Sequence, residues 1–234
     1  MELVMKISIC IPTWEQHGYG VLYLTELLET IRNQTFKDFN VVISDHSINN
    51  DIKDVVDAFS DNLDIVYTKN NSKRGNGPAN TNNTLKFAVG EIVKIIFQDD
   101  LFYSNNALSI IHKTFEENKN VKWLVNGCNH TNDGKNFFRP MVPSWNNEIW
   151  KGVNTISSPS VLAFVNNKTT LFDENLTMLM DCEYYFQLFK KYGLPKIVDD
   201  ILISNRMHPH QISSMYNRNI NEEINYVKIK HNIQ

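Results

Sequence analysis

Ile92-Val93-Lys94-Ile95-Ile96-Phe97 runs directly into Gln98-Asp99-Asp100. The apolar run reads as a buried strand, and the two acids mark where it leaves the core. Unpaired carboxylates inside a strand would carry a large desolvation cost. At a strand end opening into a cleft, a cation can neutralise them. Such hard oxygen ligands suit Mg²⁺ or Mn²⁺ shared with substrate phosphates, and the competing reading is a turn acid or helix cap. Asp45 is a second strand-end acid, and open α/β sheets bind ligands at the carboxyl ends of their strands.

Working outward, Ile7-Ser8-Ile9-Cys10-Ile11 is a β-rich run stopped by Pro12. Leu24, Leu27, Leu28 and Ile31 recur at helical spacing, which predicts a helix over 21–33. Strands are expected at 39–43 and 63–67, with a helix between them over 52–59. Gly75-Asn76-Gly77-Pro78 sets proline just inside a helix that runs to about Ala88. A helix over 106–118 and a strand at 121–125 follow. Residues 128–158 read as irregular, and so long a stretch inside a compact domain is more often functional than idle. Beyond it the pattern predicts a strand at 161–165 and a helix over 181–192 with Tyr185, Phe189 and Tyr192 on one face. Short strands at 197–198 and 201–203 and a last amphipathic helix over 219–231 complete the chain. The alternation predicts an α/β fold, a mainly parallel sheet with helices on both faces. Residues 1–215 form the main domain and 216–234 a helical extension of it.

The chain has 234 residues, 42% of them hydrophobic, which suits one substantial globular domain. A formal net charge of -3 carries no electrostatic footprint for nucleic acid. Cys10, Cys128 and Cys182 have neither metal-knuckle nor redox-pair spacing, so a reducing compartment is the simplest expectation. With no signal-like or bilayer-length apolar segment, a cytoplasmic protein is expected, and peripheral membrane contact stays open.

Taken together, these segments resemble the family 2 glycosyltransferases of the GT-A fold, over roughly residues 5–215. Ile9-Cys10-Ile11-Pro12-Thr13-Trp14 is similar to the family's opening strand and turn. Val41-Val42-Ile43-Ser44-Asp45-His46-Ser47 is similar to its second strand end. Asn82 with Ala88-Val89-Gly90-Glu91 resembles the helix and turn before the metal motif. Gln98-Asp99-Asp100 stands at the Asp-x-Asp position, and Asp181-Cys182-Glu183 resembles the helix start that supplies the base. Departures are Ser44 for the first of two aspartates, Trp14 for tyrosine, Thr81 for the helix arginine and Gln98 for the first metal-motif acid.

The resemblance implies a Rossmann-like mixed sheet. It also implies a metal-dependent, inverting transferase moving a sugar from a nucleotide-sugar, UDP-linked by preference, to a glycan, glycolipid or other glycoconjugate hydroxyl. Asp100 and His208 match the ligands of Mn²⁺ or Mg²⁺, with His210 the near competitor of His208. Pro12, Thr13, Trp14, Glu15, Asp45, Asn82, Gln98 and Asp99 match the nucleotide site. Glu15 also reads as a solvated loop acid, and Asp45 as a turn acid. Arg206 either fixes its loop or pairs with phosphate. The pair Lys73-Arg74 either reaches the diphosphate or is a surface turn. Asp181 is the expected general base and otherwise a helix-start acid; Glu183 either orients acceptor or is solvated. Aromatics in 137–150 either stack on an acceptor sugar or pack in the core. Two alternatives stand beside the transferase: a sugar-phosphate nucleotidyltransferase and a non-catalytic nucleotide-sugar-binding module. The first usually needs a basic residue in a glycine-rich loop after the first strand, and 12–18 holds neither lysine nor arginine.

Overall fold

A computed structural model describes residues 6–209, 211 and 220–233. Its strands are β1 (Ile7–Thr13), β2 (Phe39–Asp45), β3 (Ile65–Lys69), β4 (Ile92–Ile95), β5 (Leu101–Phe102), β6 (Trp123–Thr131), β7 (Phe137–Met141), β8 (Leu162–Val165) and β9 (Lys196–Arg206). Its helices are α1 (Gly20–Arg32), α2 (Asp51–Phe59), α3 (Gly77–Phe87), α4 (Ala107–Glu117), α5 (Met180–Tyr192) and α6 (Ile220–Lys230). The strands form one sheet in the order β3-β2-β1-β4-β8-β6-β9-β5, with β7 paired to β6. The first four strands are mutually parallel. β8 runs antiparallel to both β4 and β6, and β5 antiparallel to β9, so the sheet is mixed.

The predicted alternation is present from β1 to α4. Both faces of β1 are covered: Ile7, Ile9 and Ile11 on one side and Ser8 and Cys10 on the other are all fully buried. Ser8 Oγ, on the second face, accepts the N–H groups of Val89 and Gly90 after α3. A strand buried on both faces reads as a continuous apolar run, which is why this part was legible.

Four details differ from the sequence expectations. β3 begins two residues later than predicted. β4 ends at Ile95, and a turn closed by the Asp100 N–H to Phe97 carbonyl bond (3.0 Å) carries Gln98, Asp99 and Asp100 at its carboxyl end. β6 continues to Thr131 and β7 lies inside the stretch read as irregular, because Asn126–Thr131 is polar and only its pairing with β9 and β7 makes it a strand. The two short strands expected around 197–203 are one strand whose register shifts opposite Gly127. A Cβ at Gly127 would stand 2.8 Å from the Asp200 carbonyl oxygen, so glycine allows the strands to stay together past the irregularity.

α5 buries Cys182, Glu183, Tyr184, Tyr185 and Leu188. Glu183 is therefore not solvated: its carboxylate meets Lys230 (2.7 Å) and His231 (2.8 Å) at the end of α6 and Gln187 (2.7 Å) on its own helix. No helix among the described residues is long and apolar enough to cross a membrane.

Candidate active site

The carboxyl ends of β1, β2 and β4 lie side by side. Thr13 and Asp45 are register partners, and Trp14 follows directly. Gln98 is held against Trp14 by both ends of its amide: Oε1 accepts the Trp14 N–H (2.7 Å) and Nε2 donates to the Trp14 carbonyl (2.9 Å). Its second N–H reaches Gln16 Oε1 at 2.6 Å. Gln16 in turn donates to Asp99 Oδ2 (3.3 Å), and the same oxygen meets His208 Nε2 at 3.0 Å. One polar chain thus runs from the β1 end through Gln98, Gln16 and Asp99 to His208. Tyr23 packs on the His208 ring, centroids 5.3 Å apart. His210 lies outside the described residues.

Asp100 points inward. Its Oδ1 accepts the Arg206 N–H at 2.8 Å, and its Oδ2 meets Ser158 Oγ at 3.3 Å. Burial, with the neighbouring Asp99 carboxylate second, pushes its carboxyl up to about 7. The guanidinium of Arg206 does not relieve it. That group is buried against Glu26, donates to the Asp99 carbonyl (2.9 Å) and lies 4.5 Å from the Tyr23 ring centre. Arg206 fixes its loop. Behind this corner Lys94 is fully buried, its ammonium on the Ser160 carbonyl, and burial pulls it down to about 7. Two acids therefore share one corner, and among the described residues no fully charged cation touches Asp100.

A cavity of about 260 Å³ opens at this corner, lined by Asp99, Asp100, His130, Ser157, Ser158 and Asn205 among others. Asp181 is not among its lining residues. It is joined to it by the segment 154–158, the end of the irregular stretch, none of whose residues was among the expected site residues. Asn154 Nδ2 donates to Asp181 Oδ2 (2.8 Å), while Asn154 Oδ1 accepts the Ile156 and Ser157 N–H groups (2.9 and 3.0 Å). The Ser157 carbonyl accepts from Tyr185 (3.1 Å), and its Oγ from Asn205 (2.7 Å). Ser158 then reaches Asp100. Ser157 has φ 104, a region costly for a residue with a Cβ and retained where surroundings over-determine it. The Ser-Ser-Pro run was the available signal, since Ser158 caps the turn at Pro159.

Asp181 is the second residue of α5. The helix-terminus field favours its charged form, as does the Cys182 N–H at 2.7 Å. Burial outweighs both and pushes the carboxyl up to about 6. It remains mostly ionised at neutral pH and close enough to it to take a proton.

The other expected residues scatter. Asp45 is fully buried and engaged by the Ser47 N–H (2.8 Å), Tyr67 (2.8 Å) and Lys69 (3.0 Å). Thr13 donates to the Ser44 carbonyl (3.2 Å). Glu15 keeps a buried Oε2 without a hydrogen-bond partner among the described residues. Asn82 lies apart from the cluster, its amide spent on Phe172 N–H and carbonyl and on Glu174. Lys73 pairs with Glu174 and Arg74 with Asn71. Trp145 packs against Phe189 (4.4 Å), while Phe137 and Phe138 are exposed.

The sequence model described as Glycosyl transferase family 2 matches residues 8–191. A GalNAc(5)-diNAcBac-PP-undecaprenol beta-1,3-glucosyltransferase of Campylobacter jejuni is 30% identical over 112 residues, 47% of this chain and 35% of that protein. An uncharacterized glycosyltransferase of Rickettsia felis is 26% identical over 213 residues, 85% of this chain and 33% of its own length. The chain thus spans about a third of the length of these relatives. The structure of S. aureus TarS 1-349 with UDP-GlcNAc superposes with TM-score 0.72 at 20% identity, covering 97% of this chain and 66% of that one. Mannosyltransferase PcManGT of Pyrobaculum calidifontis, with GDP-Man and Mn²⁺, gives 0.64 at 16% identity, covering 87% and 57%. At these identities the likeness establishes the GT-A type of fold.

Proposed function

The chain belongs to glycosyl transferase family 2, and from that premise we propose that it moves a sugar from a nucleotide-sugar, UDP-linked by preference, to a hydroxyl of a glycan or glycoconjugate. The observation that carries this reading is the wiring of Asp181, through Asn154, Ser157 and Ser158, to the acidic corner of Asp99 and Asp100. One short segment fixes a proton acceptor and an anionic corner relative to each other, which is what a displacement at a sugar carbon next to a diphosphate requires.

Asp181 takes the acceptor hydroxyl's proton as it attacks the anomeric carbon. Glu183 is tied to α6, so Asp181 carries this role without a second carboxylate beside it, and direct displacement inverts the anomeric centre. Asp100 and His208, with Asp99 between them, would hold Mn²⁺ or Mg²⁺. Carboxylate, imidazole and substrate phosphate oxygens form a donor set suited to either ion. Bound there, the ion would neutralise charge developing on the leaving diphosphate. Pro12, Thr13, Trp14 and Glu15 would form the nucleotide end, with Asp45 fixing the β2 end beneath them; the buried free oxygen of Glu15 would be an acceptor for a ribose or base donor. Gln98 supports that end by fixing Trp14, and Asn82 supports the fold at Phe172, with both of its amide hydrogens spent on Phe172 and Glu174.

Calorimetry with UDP and GDP, with Mn²⁺ and with EDTA, followed by product analysis on a panel of nucleotide-sugars, tests the proposal. Metal-strengthened nucleotide binding and a β-linked product from an α-linked donor are expected. Equal affinity with and without metal would remove the metal role. A retained α-linkage would remove the single displacement, and binding without turnover would leave a binding module.

A further inference from the structure

The turn that presents Asp181 is held from outside by α6. α5 has no side-chain cap of its own: Leu179 occupies the cap position. The first N–H groups of a helix and of the turn before it must nevertheless find acceptors. Here Glu223, the fourth residue of α6, supplies them. Its Oε1 accepts the Thr177 N–H (3.0 Å) and its Oε2 the N–H groups of Met178 and Leu179 (both 2.9 Å). One carboxylate thus receives three consecutive backbone donors, two residues before Asp181. Charge-assisted bonds of this kind are stronger than neutral ones and fix direction as well as distance.

The remainder of α6 grips the same segment on either side. Tyr226 and Lys230 bind Asp173 Oδ2 (2.9 and 2.6 Å), and Asn175 donates to the Tyr226 hydroxyl (3.1 Å). Lys230 and His231 hold the buried Glu183, two residues after Asp181. The opposing wall is equally close. A Cβ on Gly152 would stand 2.9 Å from Leu179 Cδ2 and 3.6 Å from Ile220 Cδ1. Gly152 lies two residues before Asn154, which bonds the Asp181 carboxylate itself. The base-bearing turn is therefore clamped between α6 and the segment that leads to the cavity.

We infer that α6 is a positioning element for the transfer reaction, and that Glu223 is the positioning residue which sets the place and direction of Asp181. The inference rests on the reading of Asp181 as the base. Glu223 touches no reacting atom; it acts through the 177–179 backbone. A base displaced by about an ångström loses up to 10²-fold in rate without a matching loss of substrate binding.

The test is a double-mutant cycle on the full chain with Glu223→Ala and Asp181→Asn, using release of UDP from UDP-GlcNAc and UDP-glucose and of GDP from GDP-mannose. Hydrogen exchange over 177–182 is followed in parallel. Glu223→Ala is expected to lose protection at 177–179 and to lower kcat about 10- to 100-fold while donor KM stays within about twofold. Glu223→Gln, which keeps an acceptor oxygen, should recover part of both, and it carries the test if the alanine variant does not fold. In the Asp181→Asn background the Glu223 substitution should cost less than about twofold, because the group it places no longer acts. An equal loss in both backgrounds, or unchanged exchange at 177–179, overturns the positioning role alone. Wild-type turnover in Asp181→Asn overturns the base reading, and the inference with it.

Discussion

The two halves of the cleft are built in opposite ways. On the β1–β4 side, strand-end side chains are spent on the chain itself: Gln98 on Trp14, Thr13 on Ser44, Asp45 on Ser47, Tyr67 and Lys69. On the β6–β9 side and in α5, the chemistry-bearing groups sit on loops and helix starts and are held by other loops. Asp181 hangs on Asn154, and Asp100, in the turn after β4 where the two sides meet, is held by Ser158; Ser157 between them is strained. The first side is a frame that presents backbone and rings; the second carries Asp181, the base of the proposed reaction. Substitutions should therefore cost stability on the first side and rate on the second.

The sharpest test of that division is Asp181→Asn. It keeps the shape and one acceptor for the Cys182 N–H but cannot take a proton. Transfer should fall by about 10²-fold or more, with melting temperature and nucleotide affinity nearly unchanged. Because burial lifts the Asp181 carboxyl to about 6, wild-type transfer should fall as pH drops through 6, and the variant's residual rate should lack that limb. A pH–rate profile of both proteins reads this directly. A variant that unfolds while the surviving fraction stays active would reverse the comparison.

Asp100 tests where the two sides meet. Its folded-state carboxyl, lifted from 3.8 to about 7, keeps a proton that the unfolded chain has already lost. Without metal, this group makes stability fall as pH rises from about 4 to about 7, and contributes no further slope above that. Asp100→Asn should flatten that slope while still accepting the Arg206 N–H. Mn²⁺ should raise the wild-type melting temperature above pH 7, and nucleotide affinity by about tenfold or more, and should do neither for the variant. Thermal scans at pH 5 and pH 8 with Mn²⁺ or EDTA decide it. An unchanged response in Asp100→Asn, with a lost response in Asp99→Asn, would move the ligand by one residue.

Gln98 belongs to the frame. Gln98→Leu leaves the Trp14 N–H and carbonyl unpaired in a partly buried site, so a loss of about 1–3 kcal/mol is expected in urea unfolding. The rate of the folded protein should change less than in Asp181→Asn. A Gln98→Leu protein of full stability that binds no nucleotide would mean that the amide itself touches substrate.

This division also decides what could be read from the sequence. β1, β2 and β4 are buried on both faces, so their apolar runs announce them, and their order gives the acids at their ends. α5 declares itself by its aromatic spacing and by Asp181 at its start. What failed to register is held by tertiary pairing. β6 beyond Val125 is buried but too polar, and β7 is too exposed, to carry an apolar period. The 154–158 bridge depends on a residue with φ 104, and Glu223 is spoken for by N–H groups more than 40 residues earlier in the chain. A side chain that caps a distant helix leaves no local pattern. The motif match names Asp100 and His208, but it carries no information on the orientation that sets Asp99, not Asp100, against the imidazole.

The smallest expected effect lies on the loop before α3. Lys73-Arg74 could have served the diphosphate, yet Lys73 pairs with Glu174 across from the second half of the chain, and Arg74 donates to Asn71 at 2.8 Å. The Lys73 side chain is 60% exposed, and exposed pairs contribute about 0–1 kcal/mol because solvent screens them and two long side chains must be ordered. Lys73→Ala should thus shift the unfolding free energy by less than about 1 kcal/mol, and less still at high salt. Glu174 would keep its bond to Asn82, so the loop after β8 stays anchored. If the lysine is only a surface partner, UDP affinity is unchanged in the variant. A several-fold loss of UDP affinity at low salt, recovered by Lys73→Arg, would instead bring this loop over the phosphates and give the frame side a working cation.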